Sequence, residues 1–149
     1  MVLSGLNHMH VNHTVHRDIK PGNCLLDSKF QLNIIDFGLA LETEKLRRRA
    51  GSTYYLGTPR FMAPEVFRQY GDILAYREPV DIWASGIMMY YLLTNRFPYE
   101  DENFERLQES VMNDPINFNT AVLKTVPSEA IDLMRKMLNK QPKDRITAE

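Results

Sequence analysis

The chain has 149 residues, 44% of them hydrophobic and 25% charged, which suffices for one domain with its own core and argues against global disorder. Eighteen basic and nineteen acidic side chains leave a formal net charge of −1, so no overall field draws the protein to nucleic acid or an anionic membrane, and neither is expected as a partner. The one cysteine, Cys24, has no internal disulfide partner, which fits a reducing intracellular compartment and an expected cytoplasmic location that leaves the nucleus open.

Val2, Leu3, Leu6 and Met9 recur at helical spacing and predict a helix over residues 1–10. It has no start signal before Met1, so the sequence is expected to open inside an element. The N-terminus lacks the basic-then-apolar pattern of a secretory signal. His16 to Asn23 reads as a loop, with Pro21 blocking a continued helix. Cys24-Leu25-Leu26 and Gln31 to Ile35 predict two short strands around a turn at Asp27-Ser28-Lys29. Leu39 to Arg60 shows no sustained period, is basic at Arg47-Arg48-Arg49, and is expected to be mobile. Pro79 to Leu93 is the strongest helix. Asp81 stands near its start, where a carboxylate suits the free N–H groups and the dipole. Ile82 to Leu93 carries no charge on any face, which predicts burial. That run is also shorter than the roughly 20 residues that span a bilayer. Phe104 to Met112 predicts a weaker amphipathic helix. Ala130, Ile131, Met134, Met137 and Leu138 predict another, started by Pro127 and Ser128.

Three strings carry chemistry. His16-Arg17-Asp18-Ile19-Lys20-Pro21-Gly22-Asn23 places an aspartate, a lysine and an asparagine in one loop; Asp36-Phe37-Gly38 and Ala63-Pro64-Glu65 follow. Alone, His-Arg-Asp is usually a surface ion-pair cluster, and Asp-Phe-Gly a turn after a strand. The six fixed positions of the first string should recur by chance at about 10⁻⁸ per start at average residue usage. In this order, the three strings resemble the catalytic core of the eukaryotic protein kinases. The resemblance covers nearly the whole chain and implies a mainly α fold with a small β hairpin. It corresponds to the C-terminal lobe of a kinase domain, partial over residues 1–149 and expected to be truncated at both ends.

The resemblance also implies roles. Phosphoryl transfer needs an aligned hydroxyl, metals on the phosphates and compensation of charge. Asp18 would orient or accept the proton of the attacking hydroxyl, and Lys20 would face the transferring group as a point charge. Asn23 and Asp36 offer hard oxygen ligands for Mg2+, and Gly38 lets the backbone turn beside Asp36. Thr58, in Gly57-Thr58-Pro59-Arg60-Phe61-Met62-Ala63-Pro64-Glu65, would bridge Asp18 and Lys20. Asp81 would hold the catalytic loop through its backbone, Arg145 would pair with Glu65, and His16 would stack on Phe37. Leu25 would lie under the adenine of ATP. Arg17 would receive an activation-segment phosphate, with Thr53 the first candidate, Ser52 the second, and Tyr54 at the position most often modified in similar kinases. Lys20 and the Gly57-Thr58 pair imply serine/threonine specificity toward protein substrates. Tyr90-Tyr91-Leu92-Leu93 and Phe97-Pro98-Tyr99 are similar to calcium/calmodulin-dependent-type kinases. Gly22 and Tyr91 replace acids that often receive a substrate arginine, which argues against a simple basic-substrate preference.

No glycine-rich phosphate loop and no strand lysine precede His16. The sequence alone is therefore expected to bind ATP poorly and to turn over little. Two readings follow: a part of a serine/threonine kinase lacking the N-lobe, or a non-catalytic kinase-like module that competes for substrates or partners. Oligomeric state, upstream activator and calcium dependence leave no mark in the sequence.

Overall fold

The computed structural model of the chain describes residues 1–43, 55–68 and 77–149. Helix α1 (Val2–Val11) buries Leu6 and Met9, members of the stripe predicted by their spacing. Strand β1 (Thr14–Val15) follows, then a single 3-10 turn at Pro21–Asn23 that proline begins. Strands β2 (Cys24–Leu26) and β3 (Leu32–Ile34) pair antiparallel, with Cys24 opposite Ile34 and Leu26 opposite Leu32. The Asp27 carboxylate sets their turn by accepting from the amides of Lys29 and Gln31 at 2.8 and 2.9 Å. Cys24 packs, half-buried, against the core.

A second pair was not anticipated. Strand β4 (Leu41–Glu42) lies antiparallel to β1, Val15 opposite Leu41. Two residues per strand are too few to show a period, so the aperiodic reading of this stretch missed it. The expected mobility of the region falls largely on residues 44–54, outside the described residues.

Helix α2 (Pro64–Arg68) leads to α3 (Pro79–Thr94), whose Ile82, Trp83 and Ile87 are essentially inaccessible to solvent. Helix α5 (Ser128–Met137) approaches α3 closely at Gly86 and follows α4 (Phe104–Asn113) in sequence. A Cβ at Gly86 would lie 2.8 Å from the Leu138 side chain, so only glycine admits this spacing undisturbed. The expectation of burial fails at the last turn of α3. Leu92 and Leu93 are exposed. The helix stops at Asn95, whose left-handed φ of 54° lets its N–H donate to Tyr91 O at 2.7 Å. Among the described residues no helix is long and apolar enough to cross a membrane.

One buried ion pair ties α2, the start of α3 and the C-terminal segment together. Arg145 donates to both carboxylate oxygens of Glu65 at 2.6 and 2.9 Å, and to Pro79 O at 2.7 Å. Its Nε donates to Asn139 O at 2.9 Å, and its guanidinium lies 5.2 Å from the Trp83 ring centroid. Removing one partner leaves a buried charge uncompensated. Arg145→Met is expected to cost about 3–5 kcal/mol, read as a lower urea midpoint at unchanged slope. Glu65→Leu added to it should recover part of that loss.

Candidate active site

Asp18 is the centre of the site. Thr58 donates to its Oδ1 from both backbone N–H and hydroxyl, at 3.0 and 2.7 Å. Lys20 Nζ donates to its Oδ2 at 2.7 Å and to the Thr58 oxygen at 2.8 Å. Asn23 Nδ2 donates to the Asp18 carbonyl at 2.8 Å and to Oδ2 at 3.2 Å. Burial alone would raise the Asp18 pKa, but the hydrogen bonds from Lys20, Thr58 and Asn23 and the lysine charge outweigh it. The carboxyl is therefore held below its ordinary value and stays ionised at neutral pH.

Two backbone features put these side chains together. Arg17 adopts a left-handed φ of 70°, which costs a non-glycine residue about 1–3 kcal/mol. The Asp81 carboxylate, completely buried, holds that conformation by accepting from the N–H groups of His16 and Arg17 at 2.9 and 2.8 Å. Asp81 thus serves the loop, as the resemblance implies, from its place in the first turn of α3; Glu78 occupies the N-cap position, without a side-chain cap bond. Gly57 takes φ 103°, and a Cβ there would lie 2.7 Å from Arg17 O. Glycine alone allows the approach that delivers Thr58 to Asp18.

The β2–β3 hairpin positions the second group. Ile35 N donates to Asn23 O at 2.9 Å, so Asn23 and Asp36 emerge at the same end of the hairpin. Asp36 has a left-handed φ of 62°, and its Oδ1 accepts from Gly38 N at 3.3 Å. Asn23 commits its amide nitrogen to Asp18, which leaves its oxygen available. An amide oxygen and a carboxylate form a hard donor pair, so these residues fit Mg2+. No cluster of three or more His, Cys, Asp or Glu side chains suited to a metal occurs among the described residues.

His16 joins the two groups. Its Nδ1 accepts from Asp18 N at 3.3 Å, which assigns the proton to Nε2, and Nε2 lies 3.0 Å from Ile35 O. Its ring meets Phe37 edge-on, with centroids 5.2 Å apart and planes at 62°; the expected stacking is a T-shaped contact. Leu25 and Phe37 are 50% and 52% exposed. Arg17 is buried, and its Nε donates to Leu39 O at 2.6 Å. The candidate phosphosites Ser52, Thr53 and Tyr54 lie outside the described residues. One contact had no signal in the sequence: His10 of α1 places Nε2 3.0 Å from Asp81 Oδ2. A histidine in a helix's last turn is ordinary, and its partner stands 71 residues away.

The pKa direction at Asp18 sets a pH dependence. A carboxyl depressed by folding adds stability above its unfolded pKa, and that contribution disappears as pH falls through the folded value. The Asp18 carboxyl resonance should therefore titrate with a midpoint below the ordinary 3.8. The pH-dependent part of the stability difference between wild type and Asp18→Asn should shrink as acid is added below about pH 4. A midpoint at or above the ordinary value would refute the account of its neighbours.

The protein kinase domain family matches residues 1–149. The chain is 39% identical over 150 residues to calcium/calmodulin-dependent protein kinase type II subunit delta of Oryctolagus cuniculus, covering 99% of this chain and 27% of that protein. It is 35% identical over 144 residues to serine/threonine-protein kinase PEPKR2 of Arabidopsis thaliana, covering 97% of this chain and 29% of that protein. The chain thus spans less than a third of the length of these curated relatives. With the mainly helical fold and the Asp18 loop described above, the match over its whole length makes this chain a member of the protein kinase domain family.

Proposed function

We propose that residues 1–149 form the C-terminal catalytic lobe of a serine/threonine protein kinase that transfers the γ-phosphoryl group of ATP to protein hydroxyls. The observation that carries this reading is the convergence of Lys20, Asn23 and Thr58 on an ionised Asp18. In the transfer, the acceptor oxygen bonds to the γ-phosphorus, the bond from that phosphorus to the β,γ-bridging oxygen breaks, and ADP leaves. Asp18 orients the acceptor hydroxyl and takes its proton. Lys20, already 2.7 Å from that carboxylate, offsets charge on the transferring group. Thr58 locks both in place. Magnesium bound with the nucleotide would neutralise phosphate charge; Asn23 and Asp36 are the residues that would hold it. Leu25 offers the adenine one apolar wall. The opposite wall, with its glycine-rich loop and strand lysine, would belong to a second lobe. Serine/threonine preference is supported by Lys20, the Gly57-Thr58 pair and the names of both relatives. Phosphorylation at Thr53 or Ser52 is the proposed regulatory step.

An exposed apolar face favours a second reading. On and beside the hairpin, Leu26 and Phe30 are 57% and 77% exposed, together with Leu25 and Phe37. A surface of that kind suits a kinase-like module that binds partners without catalysis.

Fusing a kinase N-lobe in front of Met1 tests both readings. The fusion should phosphorylate serine or threonine peptides with Mg-ATP. Asp18→Asn and Asp36→Asn should each lower turnover by about three orders of magnitude or more while circular dichroism stays unchanged. Near-normal turnover in either variant would overturn the roles assigned. A folded fusion with no transfer would favour the binding module.

A further inference from the structure

Arg60 stands two residues after Thr58, whose hydroxyl donates to Asp18 Oδ1 at 2.7 Å. The 3-10 turn Pro59–Phe61 fixes its backbone, with Phe61 N donating to Thr58 O at 2.9 Å and Met62 N to Pro59 O at 3.1 Å. Phe61 and Met62 are buried, whereas Arg60 is exposed. Its guanidinium carbon lies 5.1 Å from the Phe97 ring centroid. Phe97 is itself held: it stacks on Tyr91 with centroids 4.6 Å apart and planes at 24°, and meets Phe61 edge-on at 5.5 Å. Among the described residues no carboxylate pairs with Arg60. Glu100 has another use, since its Oε1 accepts from Phe97 N at 3.2 Å.

A guanidinium over a ring uses its face and leaves the N–H donors at its edge. Those donors match a carboxylate, which they bind as a fork. The ring already limits the freedom of the Arg60 side chain, so less entropy is lost when a carboxylate arrives. Position decides which carboxylate. Thr58 touches Asp18, where the acceptor hydroxyl is bound in the proposed transfer, and two residues of chain span at most about 7 Å. An extended peptide advances about 3.3–3.6 Å per residue, so side chains near the acceptor come within reach of Arg60. The neighbourhood offers little competition. Gly22, in the Asp18 loop, has no side chain, and a Cβ there would meet nothing within 4 Å. Tyr91 brings a ring to Phe97 and no charge. A lysine of the peptide at the same place would meet a like charge.

We propose that Arg60 is a specificity-determining residue, selecting protein segments that carry an aspartate or glutamate within about three residues of the acceptor serine or threonine. Phe97 holds the face of its guanidinium, and the edge binds the incoming carboxylate. The effect on turnover rests on the proposed kinase reading; the choice of an acidic segment is read by binding alone.

The probes are serine peptides identical except at one position, where aspartate, alanine or lysine stands. That position is moved in turn from three residues before the serine to three after it. Binding is measured on the 149-residue chain by NMR titration of the Arg60 Nε–H resonance. At one or more positions the aspartate peptide should bind about tenfold tighter than the lysine peptide, with alanine between them. The gap should narrow as salt rises from about 0.05 to about 0.5 M. In the variants the peptides are compared by calorimetry, with circular dichroism confirming the fold. Arg60→Gln should remove the gap and Arg60→Glu should reverse it. Lys143→Glu, an equal change of charge in the Pro142–Asp144 turn, should keep it. In the fusion with an N-lobe the same order should appear in kcat/KM. Equal binding of the aspartate and lysine peptides would overturn the proposal, as would a gap that persists in Arg60→Gln. Failure of every peptide to shift the Arg60 resonance would also overturn it. Transfer to all the peptides with one kcat/KM would reject the selection and leave the kinase reading intact. A binding gap without transfer by the parent fusion would count against the kinase reading and uphold the choice of acidic segments by Arg60.

Discussion

A buried carboxylate in the most apolar helix of the protein is the constraint on which the site depends. Asp81 sits among Val80, Ile82, Trp83 and Ala84, all buried. Placing an ionised group there costs several kcal/mol in lost hydration. Hydrogen bonds to a charged group contribute about 1.5–3 kcal/mol each, so the cost is tolerable only while the donors stay aligned. That requirement reverses the usual relation between core and loop. The core does not merely support the Asp18 loop; the loop must present His16 N and Arg17 N for the core to be stable. The left-handed Arg17 is a consequence, since no relaxed conformation is needed where the alternative is an unpaired buried charge.

Asp18 shows the opposite balance. It is only partly buried, and burial pushes its carboxyl toward neutrality while Lys20, Thr58 and Asn23 pull harder the other way. The same bonds restrict its rotamer, so charge and orientation are set by one group of neighbours. Lys20 and Thr58 also bond each other, which links the loop to the segment that begins at Gly57. The positive φ of Gly57 and its closeness to Arg17 O are what permit that link.

The Glu65–Arg145 pair does for the helical half what Asp81 does for the loop. A bidentate contact between residues 80 positions apart, with a third bond to Pro79 O, anchors α2 against the start of α3. Arginine suits this place because its planar fork matches the carboxylate, and its face can also lie over Trp83. The hairpin face is held by much less. Its strands are three residues each, and Leu25, Leu26 and Phe30 stand in solvent. This difference in burial explains why the Asp18 group is rigidly specified while the apolar surface beside Asn23 and Asp36 is open to a partner or ligand.

Much was legible in the sequence, for physical reasons that differ between elements. The long helices declared themselves because an apolar stripe of period 3.6, or an apolar helix with no polar face, has few other ways to fold in water. The hairpin was legible from its turn residues. The Asp18 loop was legible because its residue types are chemically scarce in that arrangement. The two-residue strands β1 and β4 were not, since pairing between residues 14–15 and 41–42 is specified by position in space and not by local pattern. Helix periodicity could not reveal that Leu92 and Leu93 emerge from cover, because exposure depends on where neighbouring elements end. Asp81 is the clearest division. Its place in the helix followed from local sequence, which made it look like an ordinary first-turn carboxylate. That it holds the loop was implied only by the family resemblance; that it takes His10 as a third partner while Arg17 turns left-handed was decided by packing, because its donors stand more than sixty residues away in the chain.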